Sequence, residues 1–228
     1  NLVDEIWFNK NNVFNTEENE KWLTVKKKIT FPKNKTWQDY VKDIRLEITC
    51  GEAPYLVSRY DTTTGMIIEP INRIGLLDRK IRIVNENTDN EADWFEWVKW
   101  AYKSVYGFEW QGDSLLIARE NLLYTFIDYF KERYKKDPEV AQLKELAYII
   151  SWNLWQMDGL KGVVPNSCKI NTNTLGLLVF EDEVEQLCPA CVKQSYVGHI
   201  GKKCIIKDWQ DGEKEIAFEE IFTGGTNG

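Results

Sequence analysis

The stretch VYGFEWQGDSLLIARENLL, residues 105–123, decides the fold class of this 228-residue chain. Residues 105–110 form a short apolar run that predicts a strand, and a polar turn at 111–114 follows it. Beyond the turn, apolar residues recur at three- and four-residue steps as far as Tyr134, which predicts a helix. A strand that turns directly into a helix is the repeating unit of α/β proteins.

The same pattern occurs on both sides of this stretch. Thr36 can cap a helix at its first turn, with Asp39 at the third helical position. The predicted strands are 46–51, 105–110 and 153–159, and the predicted helices are 36–45, 90–106, 114–134 and 138–150. Because helices alternate with short strands, we predict an α/β layered sheet.

Composition limits the class of protein. Hydrophobic residues make up 43% of the chain, with ten each of Trp, Tyr and Phe, so there is ample material for a core. The net charge of −7 makes the chain a poor sole partner for DNA. A basic patch at 26–28 with Lys33 and Lys35 is the best local candidate for phosphate contact, although a solvated charged face gives the same pattern.

No apolar run is long enough to cross a bilayer and no signal peptide is visible. We therefore expect a cytoplasmic protein without a membrane partner. The chain divides by character into an N-terminal arm (1–45), an α/β core (46–162), an insertion (163–204) and a return to the core with a tail (205–228).

The insertion contains four of the five cysteines and the only histidine. Cys188 and Cys191 form a C-x-x-C pair, and Cys204 follows. This spacing predicts a structural zinc site with these three cysteines as ligands. Cys168 is favoured over His199 as the fourth ligand. The alternative is a group of reduced thiols that pack as small hydrophobic side chains.

Three acidic residues stand at or near the ends of the predicted strands: Glu47, Glu109 and Asp158. In doubly wound sheets, ligands bind outside the carboxyl ends of the strands. Acidic side chains there can accept hydrogen bonds from ribose hydroxyls. Each of these residues taken alone is more often a turn residue than a ligand.

Taken together and in this order, these segments resemble the amino-group (adenine-type) DNA methyltransferases of restriction–modification systems, proteins labelled restriction endonuclease subunit M. The matching motifs are LEITCG (46–51), VYGFEW (105–110) with IARENL (117–122), and NLWQMD (153–158). Longer phrases match as well: GEAPYLVSRYD (51–61), RIGLLDRK (73–80) and WQMDGL (155–160). The resemblance covers most of the chain.

The resemblance implies a doubly wound, Rossmann-like methyltransferase sheet with a small zinc-binding insertion. It also implies an S-adenosylmethionine site that begins at Glu47 in the first motif. The cofactor would lie over Cys50 and Gly51, with Glu109 on its ribose hydroxyls. Its adenine would face Asp158 and stack on Trp110. DNA, and other restriction–modification subunits, are the implied partners.

The chain departs from the family in two important ways. Gly51-Glu52-Ala53-Pro54 replaces the usual Gly-x-Gly, and no Asn/Asp-Pro-Pro-Tyr/Phe motif is present to grip a flipped base. Either the catalytic motif lies beyond residue 228, or the chain does not methylate alone. The alternative function is therefore a non-catalytic, zinc-containing DNA-recognition or partner subunit on a methyltransferase-like scaffold.

Two hydrolytic functions are less favoured. Glu69 and Asp78-Arg79-Lys80 imitate the acidic-x-Lys signature of metal-dependent nucleases, but we interpret them as surface charge. His199 has no candidate nucleophile near it in sequence, which argues against a Ser–His or Cys–His hydrolase.

Overall fold

The computed structural model describes residues 1–19, 21–61, 63–170 and 186–223. A short 3-10 helix, Pro70–Asn72, precedes α3. The other elements, in chain order, are α1 (Leu2–Phe8), β1 (Asn15–Glu18), β2 (Lys21–Thr24), α2 (Trp37–Lys42), β3 (Arg45–Ile48), α3 (Leu76–Asn87), α4 (Glu91–Lys103), β4 (Val105–Glu109), α5 (Gly112–Tyr134), α6 (Val140–Asn153), β5 (Leu154–Gln156), β6 (Lys169–Ile170), β7 (Gln186–Leu187), α7 (Pro189–Val192), β8 (Ile205–Asp208), β9 (Lys214–Ala217) and α8 (Glu220–Thr223).

Three parallel strands form the central sheet, in the order β3-β4-β5. Arg45 pairs with Val105, and Gly107 pairs with Leu154. Helices α3 and α4 connect the first two strands, and α5 and α6 connect the second and third. The predicted α/β class is confirmed to this extent. Within the described residues, no further strand joins this sheet.

Local capping signals explain where several helices begin. The Thr36 hydroxyl accepts the Asp39 N–H at 3.2 Å, and the Asp39 carboxylate accepts the Thr36 N–H at 2.7 Å, so the predicted cap is confirmed as a reciprocal capping box. The Asn90 side chain accepts the Asp93 N–H at 2.9 Å and starts α4. Helix α4 ends at Lys103, earlier than predicted, because the chain enters β4 at Val105.

The charged residues at the start of α3 lie inside the protein. Asp78, Arg79 and Lys80 are all buried, so their interpretation as surface charge is wrong. Asp78 accepts the backbone N–H of Ser58 at 2.8 Å. Lys80 donates to the Val41 carbonyl at 2.9 Å and to the Ser104 hydroxyl at 2.6 Å. Burial lowers the pKa of Lys80 well below its usual range.

The first forty-five residues and the C-terminal hairpin pack into one hydrophobic core with the sheet and its helices. Phe8, Phe14 and Tyr40 belong to this core at one end of the chain, and Trp209 and Phe218 at the other. The Trp209 indole N–H donates to the Asn153 side-chain oxygen at 2.6 Å, which fixes the β8–β9 hairpin against α6. The division of the chain at residues 45, 162 and 204 stays a prediction. Among the described residues, no helix combines the length and apolar character needed to cross a bilayer.

Candidate metal centre and acidic strand ends

Three cysteines and the histidine converge in the insertion. Cys168 immediately precedes β6, Cys188 is the N-cap of α7, and Cys191 lies within α7. The ligand atoms of these three residues and of His199 all lie within 4.8 Å of one another. This group could hold a metal ion.

The distances fit a tetrahedral zinc site. Each of the three sulfurs, on Cys168, Cys188 and Cys191, lies 3.5 Å from His199 Nδ1. Zinc with three thiolates and one imidazole places sulfur and nitrogen about 3.6 Å apart and two sulfurs about 3.8 Å apart. The Cys168 and Cys188 sulfurs are 3.2 Å apart, so this pair would open slightly around an ion.

Hydrogen bonds with neighbouring groups favour the forms of His199 and Cys188 that bind a metal. His199 Nε2 lies 2.8 Å from the Ser195 carbonyl, which fixes the proton on Nε2 and leaves the Nδ1 lone pair for the ion. The Cys191 backbone N–H donates to Cys188 Sγ at 3.4 Å. Burial opposes ionisation of Cys188, but hydrogen bonds, chiefly from the Cys191 N–H and the Cys168 thiol, lower its pKa to about 5. A thiolate at this position is the metal-binding form.

The structure corrects the predicted ligand set in one position. Cys204 is not part of the group, and Cys168 and His199 are both members rather than alternatives. Cys204 is fully buried in the main core, where its thiol donates to the Gln156 carbonyl at 3.7 Å. Burial raises the pKa of this thiol to about 12, so it stays protonated at neutral pH.

Main-chain and side-chain bonds join the end of β5 to the start of the insertion. The Asp158 N–H donates to the Val163 carbonyl at 2.8 Å, and Val163 also forms a bridge with Lys203. The Lys161 ammonium pairs with the Asp158 carboxylate at 2.9 Å. The hydrogen bond that Lys161 donates to Asp158 raises the pKa of Lys161, and the charges of Cys191 and Cys168 act in the same direction. Asp158 is therefore held by the turn that enters the insertion.

Glu109, at the end of β4, accepts the most hydrogen bonds among the predicted site residues. The Glu109 carboxylate accepts the Gly51 N–H at 2.7 Å, the Trp110 N–H at 2.8 Å and the Gln111 N–H at 3.0 Å. Glu109 and Gly51, on adjacent strand ends, are thus brought into direct contact. Trp110 is partly exposed beside them, and its carbonyl accepts a bond from the Gln156 side chain at 3.0 Å.

Glu47 and Cys50 occupy less polar surroundings on β3 and just beyond it. The Glu47 carboxylate accepts the Leu56 N–H at 3.1 Å, and burial raises its pKa to about 7. The Cys50 thiol is also buried, which raises its pKa to about 12 and leaves it unreactive. Cys50 N–H donates to the Phe108 carbonyl at 2.9 Å, extending the ladder between the strands past Ile48.

A cavity of about 560 Å³ lies beside β3, between the N-terminal residues and the segment 54–79. Glu47, Ile48, Tyr55 and Arg79 are among its lining residues, whereas Glu109 and Asp158 are not. The sequence patterns did not predict this cavity, because its wall is assembled from segments far apart in the chain.

Comparisons with protein-family models, curated proteins and solved structures find no match to this chain.

Proposed function

We propose that the chain is the cofactor-binding part of an S-adenosylmethionine-dependent DNA (adenine) methyltransferase of a restriction–modification system. The observation that carries the proposal is the position of Glu109 at the end of the middle strand, in contact with the Gly51 amide of the neighbouring strand. An acid at this position, beside a glycine turn, is the arrangement by which Rossmann-like sheets hold a ribose.

The order of the strands supports the same proposal. Three parallel strands that follow one another in sequence order, with helical connections, correspond to one half of a doubly wound sheet. Glu109 ends β4 and Asp158 follows β5, whereas Glu47 lies within β3 opposite Gly107. An ionised carboxylate can accept about four hydrogen bonds. Glu109 accepts three from backbone N–H groups, so one site remains for a ligand hydroxyl.

In this proposal the residues bind and orient, and S-adenosylmethionine supplies the activated methyl group. Glu109 accepts from the ribose, and Trp110 offers a flat surface to the adenine. Asp158 faces the adenine amino group from a position that Lys161 and Val163 hold. Zinc held by Cys168, Cys188, Cys191 and His199 would have all four positions filled by protein, so its role would be structural.

The second candidate function is a non-catalytic DNA-recognition or partner subunit. Two observations favour it. The sequence has no Asn-Pro-Pro-Tyr type motif, and the Gly51 N–H that would face a ligand is already donated to Glu109. Such a subunit would keep the fold and the zinc centre without transferring a methyl group.

Calorimetry with S-adenosylmethionine tests the cofactor site. Glu109→Ala should weaken binding roughly 10- to 100-fold, because unpaired ribose hydroxyls cost about 1–3 kcal/mol. Glu120→Ala, at an exposed acid on α5, is the matched control and should bind like the wild type. Equal affinity in the wild type and Glu109→Ala, with both proteins folded by thermal unfolding, would reject the assignment.

Incorporation of labelled methyl groups into DNA separates the two candidates. We expect little transfer by the 228-residue chain alone, because its sequence has no Asn/Asp-Pro-Pro-Tyr/Phe motif to grip a flipped base. Adding flanking natural sequence or a partner subunit should restore transfer. Binding of the cofactor without transfer in the complete system would instead support the non-catalytic subunit.

A further inference from the structure

A second cavity, of about 200 Å³, lies where the 3-10 helix Pro70–Asn72 meets α3 and α5. Three arginines line it, Arg73, Arg82 and Arg133, together with Asn85 and a single acid, Glu132. This concentration of guanidinium groups occurs in a chain whose net charge is −7. The cavity is separate from the metal centre and from the strand ends, so a ligand bound in it would be independent of the proposed function.

Arg73 is the most deeply buried of the three, with 4% of its surface exposed. Its Nε donates to the Ile68 carbonyl at 2.8 Å and its Nη2 to Asp128 at 2.7 Å. Its Nη1 is buried and has no hydrogen-bond partner among the described residues. Because an unpaired buried donor on a charged group is costly, this nitrogen calls for an acceptor.

The other two arginines also present charge to the cavity. Arg82 donates through Nε to Glu86 and through Nη2 to the Lys27 carbonyl, and no described residue accepts from its Nη1. Arg133 donates to backbone carbonyls and to the Tyr134 hydroxyl, and no carboxylate in the described part of the chain pairs with it. The acids that neutralise Arg73 and Arg82, Asp128 and Glu86, do not line the cavity. The wall of the cavity therefore carries three guanidinium groups and one carboxyl group.

Two further groups define the chemistry of an occupant. The Asn85 side-chain oxygen accepts the Trp94 indole N–H at 2.5 Å, so its amide Nδ2 is left to donate elsewhere. Glu132 is the only acid on the wall, and its carboxylate can accept a hydrogen bond. The wall therefore offers hydrogen-bond donors from arginine and amide groups and one carboxylate acceptor. An oxyanion that keeps a hydroxyl group can bond to both.

We propose that this cavity binds a phosphate group that retains a P–OH, as hydrogen phosphate or a phosphomonoester. Guanidinium groups are the preferred partners of phosphate oxygens. The P–OH donates to Glu132, a bond that sulfate and a phosphodiester are unable to make at neutral pH. A volume of about 200 Å³ has room for the phosphate group together with a small substituent.

Titration of the chain with inorganic phosphate at constant ionic strength tests the site. The readout is the NMR signal of the Trp94 indole N–H, which is bonded to Asn85 in the cavity wall. We expect a saturable shift with a dissociation constant of roughly 1 mM or lower. Sulfate should bind at least about tenfold more weakly, because its contact with Glu132 is repulsive. Glycerol phosphate, as a second arm, decides whether the source is free phosphate or a monoester.

Matched variants make the assignment specific. Arg82→Gln should raise the phosphate dissociation constant roughly 10- to 100-fold, the effect of losing one charge-assisted hydrogen bond. Glu132→Gln should reduce the preference for phosphate over sulfate. Lys131→Gln removes the same charge from a neighbouring exposed position on α5 and should leave binding unchanged. A linear, non-saturating response, equal affinity for sulfate, or equal weakening by Lys131→Gln and Arg82→Gln would overturn the proposal.

Discussion

At the scale of single residues, two glutamates of similar exposure differ in the hydrogen bonds that they accept. Glu109 is 8% exposed and receives three backbone N–H groups, whereas Glu47 is 9% exposed and its bond to Leu56 N–H is 3.1 Å long. Burial favours the neutral form of a carboxyl group. Burial accordingly raises the pKa of Glu47 to about 7.

Glu47 should make the stability of the protein depend on pH. Its pKa is about 7 in the fold against 4.5 for the unperturbed group, so the folded state holds a proton that the unfolded state has lost between these values. The stabilisation is complete below pH 4.5 and is lost as the pH rises towards 7. Glu47→Gln keeps an acceptor for Leu56 N–H and removes this loss. Between about pH 5 and about pH 8, wild type should lose roughly 1–2 kcal/mol relative to the variant, allowing for partial access of water.

Urea unfolding of both proteins across this pH range measures the difference. Glu120→Gln, at an exposed glutamate, is the control and should follow the wild-type curve. Parallel curves for wild type and Glu47→Gln would contradict the raised pKa.

Cys191 and Cys204 should differ in their effect on zinc binding. Cys191→Ala should reduce zinc affinity by more than the roughly 10- to 100-fold that loss of an outer partner costs, because it removes a direct ligand. Cys204→Ala should keep one zinc per chain, since its sulfur lies in the main core. Competition with a coloured chelator gives both affinities. Loss of zinc in Cys204→Ala, with retention in His199→Ala, would restore the ligand set predicted from the spacing.

At the scale of elements, the sequence predicted the features that local interactions determine. The Thr36–Asp39 cap and the strand–turn–helix unit of β4 and α5 depend on neighbours in the chain, and both were predictable. Helix α3 was missed, because Asp78, Arg79 and Lys80 interrupt its apolar pattern and find their partners on distant segments. Likewise, spacing alone was unable to distinguish Cys204 from His199, since packing against β5 decides where that thiol lies.

An ion bound by the Cys–His group would hold together an insertion with very short strands, so its removal should act locally. The ligands all lie between residues 168 and 199, and β6 and β7 contribute only two residues each. We expect chelation to abolish hydrogen-exchange protection of amides in 187–203. Amides of the central sheet, including Phe108, should keep theirs. Exchange mass spectrometry with and without chelator is the measurement, and re-added zinc should reverse the change. Global loss of protection would show that the centre supports the whole fold.

At the scale of the whole molecule, described residues from the N-terminal and C-terminal parts of the chain belong to one core with the central sheet. Asp4 of α1 accepts from the Tyr40 hydroxyl at 2.7 Å and pairs with Arg79 of α3. Arg79 also donates to the Asn15 side chain at 3.0 Å, so one guanidinium joins three segments. This network joins α1 and β1 to α3 of the core.

Asp4→Ala should therefore destabilise the entire protein in one transition. Asp4 and Arg79 are both nearly inaccessible to solvent, and removing one partner of a buried pair leaves an uncompensated charge, at a cost of about 3–5 kcal/mol. Asp4→Asn should cost less, because its amide oxygen still accepts from Tyr40. Glu5→Ala, on the next residue of α1, is the control and should change the free energy of unfolding little. Denaturant unfolding followed by far-ultraviolet circular dichroism and by tryptophan fluorescence gives the result. If the two signals shift together, the N-terminal residues fold with the sheet. A separate early transition in Asp4→Ala, with the main transition unmoved, would instead make 1–45 a unit of its own.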